Sequence, residues 1–117
     1  RSLVDFHIGD AAMGEEVRAD ATLKARRTVR VRYTPDATSA ARVTLVRNGE
    51  ELETKALRGP DIAAAANEVE FVDAEPLERV ALKGAKFRPA PFVVYYARVE
   101  DGNGAHQWTS PIWIDLE

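Results

Sequence analysis

At 117 residues the chain has the length of one ordinary domain, and 45% hydrophobic with 30% charged residues is the composition of a globular one. A net charge of −3 and zero cysteines exclude disulfides, thiolate nucleophiles and thiolate zinc sites, and give no electrostatic reason to expect nucleic acid. No apolar run reaches the roughly 20 residues of a membrane span, and the first thirty residues lack a secretory-signal pattern.

Two-residue alternation dominates the pattern, and in a strand it sends successive side chains to opposite faces. Leu3 to Ile8 reads as a first strand closed by Gly9-Asp10. From Asp10 to Ala21 there is no sustained period, and a loop is expected. In Thr28 to Tyr33, Val29, Val31 and Tyr33 share one face while Arg30 and Arg32 share the other. Ala41, Val43 and Leu45 repeat the pattern up to Asn48-Gly49, a dipeptide suited to the positive φ angles of a hairpin turn, with a return strand over about Glu51 to Leu57. Pro60-Asp61-Ile62 and the alanines that follow predict a short helix near 60–66. Val69 and Phe71 alternate with Glu68 and Glu70 in another strand. The stretch from Glu75 to Lys83 fits a helical stripe through Leu77, Val80 and Ala81 and also a strand; extended structure is the expectation.

Phe92 to Val99 is β-branched and aromatic, with Val93, Tyr95, Ala97 and Val99 assigned to the core. Asp101-Gly102-Asn103-Gly104 is a turn cluster. Gln107 to Asp115 returns with Trp108, Ile112 and Ile114 in one parity, so Trp108 is assigned to the core with the two isoleucines. Pro111 cannot donate to a ladder and marks an edge or a bend. The sum predicts an all-β, two-sheet antiparallel immunoglobulin-like sandwich of about seven strands, a single domain over residues 1–117. Because the chain starts at Arg1 and its one methionine is Met13, it reads as a fragment of a longer polypeptide; the arginine and alanine bias points to a GC-rich bacterial genome.

No group of residues has the spacing of a catalytic centre. His7 and His106 lie near opposite ends, and neither Ser39 nor Ser110 sits in a nucleophile elbow. Asp10, Glu15, Glu16 and Asp20 cluster, but Ala11, Ala12 and Met13 stand where calcium ligands would be needed; a small enzyme using Asp10, Glu15 or Glu16 is a third-ranked alternative. Five basic residues between Lys24 and Arg32 form no stripe with stacking aromatics, and Arg30 and Arg32 are expected opposite Glu68 and Glu70 on a neighbouring strand. The reading assigns no catalytic residue, no metal site and no cofactor. Tyr96 and Trp113 point outward from the last two strands and are expected side by side, as an interdomain or ligand contact.

Tyr95-Tyr96-Ala97-Arg98-Val99, then Asp101-Gly102, then Trp108-Thr109-Ser110-Pro111-Ile112-Trp113-Ile114, resembles the closing strands of bacterial PHP-type metallohydrolases. Ala97 stands where that pattern would have a larger residue. The resemblance implies a non-catalytic accessory sandwich, C-terminal to a metal-dependent phosphoesterase-like catalytic domain that would be its partner in the same chain. The metal ligands of that family belong to the preceding domain and have no positions here. The alternative is a stand-alone carbohydrate- or ligand-binding module using the same outward aromatics.

Overall fold

A computed structural model describes residues 3–34, 41–57, 67–84, 88–101, 104 and 106–117. In chain order they form β1 (Leu3–Ile8), β2 (Ala11–Ala12), β3 (Glu16–Arg18), α1 (Ala21–Ala25), β4 (Arg27–Thr34), β5 (Ala41–Arg47), β6 (Glu50–Leu57), β7 (Asn67–Asp73), α2 (Leu77–Val80), β8 (Phe92–Asp101), β9 (His106–Trp108) and β10 (Ile112–Asp115). One sheet has the order β2-β1-β4-β7 and the other β3-β10-β8-β5-β6, with β9 also paired to β8. Placing β4 and β7 in one sheet and β5 and β8 in the other is the arrangement of an immunoglobulin-like sandwich. All pairs are antiparallel except β3 with β10, so the second sheet is mixed.

The alternating residues form the core as expected: Phe6, Ile8, Val29, Val31, Tyr33, Val69 and Phe71 from the first sheet meet Val43, Leu45, Val93, Tyr95, Ala97, Val99, Ile112 and Ile114 from the second. On the outer face of the first sheet, Arg30 lies opposite Glu70 and Arg32 opposite Glu68.

Three segments depart from the sequence reading. The span from Asp10 to Ala21 is not a plain loop: β2 pairs back on β1, β3 joins β10, and Asp20 caps α1 by accepting from the Leu23 amide at 2.8 Å. Glu75 to Lys83 is helical in its first half, where α2 drives Leu77 into the core; the second half touches a strand only through Leu82, which exchanges two backbone hydrogen bonds with Phe92. The extended expectation thus fails for Leu77–Val80, where the helical stripe prevails, and beyond it Leu82 makes one isolated bridge and is exposed. The returning C-terminal strand is broken. Arg98 pairs with Trp108 but Tyr95 pairs with Ile112, so three steps along β8 match four along the return. This one-residue bulge at Thr109 to Pro111 reverses parity. Thr109 secures it by donating its amide to the Ala97 carbonyl and accepting the Ala97 amide on Oγ1, both at 2.9 Å. Trp108 therefore faces outward, 56% exposed, rather than into the core. The helix expected near 60–66 lies outside the described residues.

One end of the sandwich is closed by a buried ionic cluster. Arg27, fully buried at the start of β4, donates Nε–H to the Tyr95 hydroxyl at 3.0 Å, Nη1 to the Leu23 and Lys24 carbonyls at the end of α1, and Nη2 to the Glu75 carbonyl. Its Nη2 lies 3.3 Å from Asp73, which also accepts from the Tyr95 hydroxyl at 2.6 Å and from Arg47 at 2.9 Å. Burial alone would raise the Asp73 carboxyl; the Tyr95 hydroxyl, Arg47, the Glu75 amide and the charge of Arg27 outweigh it and hold its pKa below the ordinary 3.8. Burial and the hydrogen bond to Asp73 push the Tyr95 phenol upward.

Because the folded-state pKa of Asp73 is depressed, its contribution is fully present above the ordinary carboxylate range and is lost as pH falls through the folded value. Urea denaturation across a pH series should show Asp73→Asn less stable by about 3–5 kcal/mol at neutral pH, since Arg27 is left uncompensated, with a smaller loss on acidification below about pH 4 than the native chain. At the β5–β6 turn, Asn48 has φ 52° and bonds both ways with Val94 while its Nδ2 donates to the Val80 carbonyl at 2.8 Å. Both Asn48→Gly and Asn48→Ala lose the two side-chain bonds, but only glycine accepts the positive φ without strain, so they should cost about 1–2 and about 2–3 kcal/mol respectively in thermal melts.

Candidate functional site

On β8 the even-numbered residues, Phe92, Val94, Tyr96, Arg98 and Glu100, face away from the core. Strand register brings three sets of neighbours to this face: Trp113 opposite Val94 on β10, Trp108 opposite Arg98 on β9, and Arg42, Thr44 and Val46 opposite Glu100, Arg98 and Tyr96 on β5.

Trp113 is fixed from two sides. The Arg88 guanidinium lies over its ring at 4.5 Å, and the Phe92 ring is tilted against it at a centroid distance of 5.3 Å. Arg88 is itself held by Asp115 at 2.6 Å and paired with Glu16, which β3 presents from the parallel pairing with β10. Trp113, Arg88, Asp115 and Glu16, with Pro89 and Ala90, wall an open groove of about 580 Å³. Gly84 supports that wall: any Cβ there would run into the Pro89 backbone.

Farther along β8 the polar groups are paired. Arg42 meets Glu100 at 2.7 Å, Arg98 meets Glu51 at 2.9 Å, and His106 lies 3.1 Å from Glu100 with its ring edge-on to Trp108. The hydrogen bond from His106 lowers the Glu100 carboxyl from its ordinary value; desolvation opposes it, and the charge and hydrogen bond of Arg42 tip the balance further downward.

Tyr96 and Trp113 share this face, but not as direct partners. Trp113 opposes Val94, Tyr96 lies two residues farther along and opposes Val46, and the ring against Trp113 is Phe92. The sequence reading missed Trp108, for which Pro111 was the available signal, and Arg88, which sits in no periodic pattern. His7 and His106 project from the outer faces of opposite sheets, each beside a carboxylate, Asp5 and Glu100. The acidic residues near the N-terminus do local work: Glu15 accepts from the Ala12 amide, Glu16 pairs with Arg88 and Asp20 caps α1. Among the described residues, no three His, Asp or Glu side chains gather as a metal site would require. Ser39 lies outside the described residues.

Removing the guanidinium should uncover the indole. Arg88→Ala in a Trp108→Phe background is expected to red-shift Trp113 emission, raise its acrylamide quenching and lower stability by about 1–2 kcal/mol.

No known family model matches the chain. It is 34% identical over 119 residues to an uncharacterised protein of Chlamydia trachomatis and 35% identical over 118 residues to one of Chlamydia muridarum, each match covering 99% of this chain. The chain spans 18% of the length of either relative. Among solved structures, the CooA pilin subunit from enterotoxigenic Escherichia coli superposes with a TM-score of 0.43 at 10% identity, covering 97% of this chain and 98% of that one. That similarity is too weak to carry an argument. The matches correct the expectation from the C-terminal motifs. Relatives aligned over essentially the whole chain are uncharacterised bacterial proteins, so neither membership of the PHP-type metallohydrolases nor a phosphoesterase-like catalytic domain as its partner is supported. The aromatic strand has a use within the sandwich itself, since Tyr95 serves the buried cluster, and strand motifs of this kind do not by themselves identify a function.

Proposed function

We propose that this chain is a non-catalytic binding module that takes neutral carbohydrate on the outer face of β8, with Trp113 and Tyr96 as its main contacts. The observation that carries the reading is the groove at Trp113. A pyranose ring has apolar C–H faces and a rim of hydroxyls, and it is matched by an aromatic surface flanked by both hydrogen-bond donors and acceptors. Here a half-buried indole, partly covered by Arg88 and Phe92, presents its remaining surface to a groove whose polar walls are Arg88, Glu16 and Asp115. Because salt bridges and ring contacts already fix these side chains, little rotamer freedom is lost on binding. Each arginine of the face is paired with a carboxylate, so it offers hydrogen bonds without a strong field of either sign, which disfavours a highly charged ligand.

Tryptophan fluorescence titration with a panel of neutral mono- and oligosaccharides tests the reading. A saturable change is expected in the native chain, with Trp113→Ala weakening binding by about thirtyfold or more, the cost of an aromatic hot spot, while its circular dichroism stays native. No saturable response to any sugar in the native chain overturns it.

A further inference from the structure

We infer that the ligand is a linear oligosaccharide lying along β8, held at one end by Trp113 and at the other by Trp108, rather than a single sugar seated in the groove. The inference rests on the carbohydrate reading above and specifies the class of sugar. It comes from the bulge at Thr109 to Pro111. Trp108 and Trp113 are five positions apart, and in an unbroken strand an odd separation puts two side chains on opposite faces. The extra residue restores them to one face: Trp113 stands opposite Val94 and Trp108 opposite Arg98, both on the outward parity of β8. Bulges are a recurrent means of re-aiming a side chain next to a site.

The four positions of β8 between those partners correspond, at about 3.3 Å per residue, to about 13 Å along the strand. That span exceeds one pyranose ring and suits a short chain of them. Tyr96, on β8 itself, stands at a level between the two indoles of the neighbouring strand segments and on the same face, so three aromatic side chains are staggered along the strand direction. Beside the row run Arg98 with Glu51 and Arg42 with Glu100 and His106, paired charges that supply donors and acceptors with little net field. This balance is the electrostatic complement of an uncharged polyhydroxylated chain. Trp108, 56% exposed and the most exposed of the described large aromatics, has its ring edge-on to His106.

Isothermal titration calorimetry with neutral gluco- and manno-oligosaccharides, from monosaccharide to hexasaccharide, separates this inference from the reading beneath it. Affinity is expected to rise with chain length and then level off once the ligand reaches both indoles. Trp108→Ala, at an exposed position that the core does not use, should weaken the longest ligands about tenfold, leave the shortest unchanged and so flatten the length dependence. Binding that is independent of length, or a length dependence that survives Trp108→Ala, overturns the extended site while leaving the Trp113 groove standing. Absence of heat with every member of the panel overturns both.

Discussion

A guanidinium with no exposure to water must find acceptors for five N–H groups, and meeting that demand organises one end of this molecule. Arg27 draws them from the closing carbonyls of α1, the Glu75 carbonyl beyond β7, the Tyr95 hydroxyl of β8 and the Asp73 carboxylate. The first two hold short elements that could not persist alone; a five-residue helix has too few internal bonds to offset its nucleation. The Tyr95 hydroxyl reaches across from the other sheet, whereas Asp73 faces Arg27 from the neighbouring strand of its own sheet. Asp73 gathers both arginines and the phenol, so the two sheets share a buried polar junction that ties their relative position along the strands. Leaving any one member out strands a charge or a hydroxyl in the interior, which makes the junction all-or-none.

Much of this was open to a reader of the sequence who followed parity strictly. Arg27 shares the inward parity of Val29, Val31 and Tyr33; Asp73 shares that of Val69 and Phe71; Tyr95 that of Val93 and Ala97. Three polar residues on core-facing positions require mutual satisfaction, and pairing Arg30 with Glu70 already implies Arg27 opposite Asp73. Grouping Arg27 with its basic neighbours along the chain concealed that arithmetic. The candidate face was less legible. Tyr96 and Trp113 follow from alternation, whereas Trp108 was placed in the core because alternation was carried unbroken through Pro111. Arg88 lies outside any periodic segment, and only the folded chain shows that it covers an indole. The N-terminal strands β2 and β3, two and three residues long, are shorter than the window in which periodicity can be detected at all.

The two outer faces of the sandwich solve the same problem differently. On the first sheet, Arg30 with Glu70 and Arg32 with Glu68 make a solvated ladder of opposite charges, with His7 and Asp5 beside it. Such a surface is well hydrated and poorly suited to burying a ligand. The second sheet instead interleaves rings with ion pairs. Phe92 is largely buried although it faces outward, because the segment carrying Arg88 folds over it. Asymmetry of this kind gives the molecule one solvated ionic side and one side of mixed rings and ion pairs, built on a common core.

The N-terminal segment leaves the first sheet after β2 and enters the second as β3, alongside and parallel to β10 near the other terminus. Tension applied between the two ends of the described chain would therefore draw β3 and β10 in opposite directions along their shared ladder. The backbone bonds there, from the Trp113 amide to the Glu15 carbonyl and from the Ala19 amide to the Asp115 carbonyl, would bear the load together in shear rather than open one after another. The mechanical strength of the fold would then be governed by the rate at which this short parallel ladder slips, a property separate from the equilibrium stability of its core.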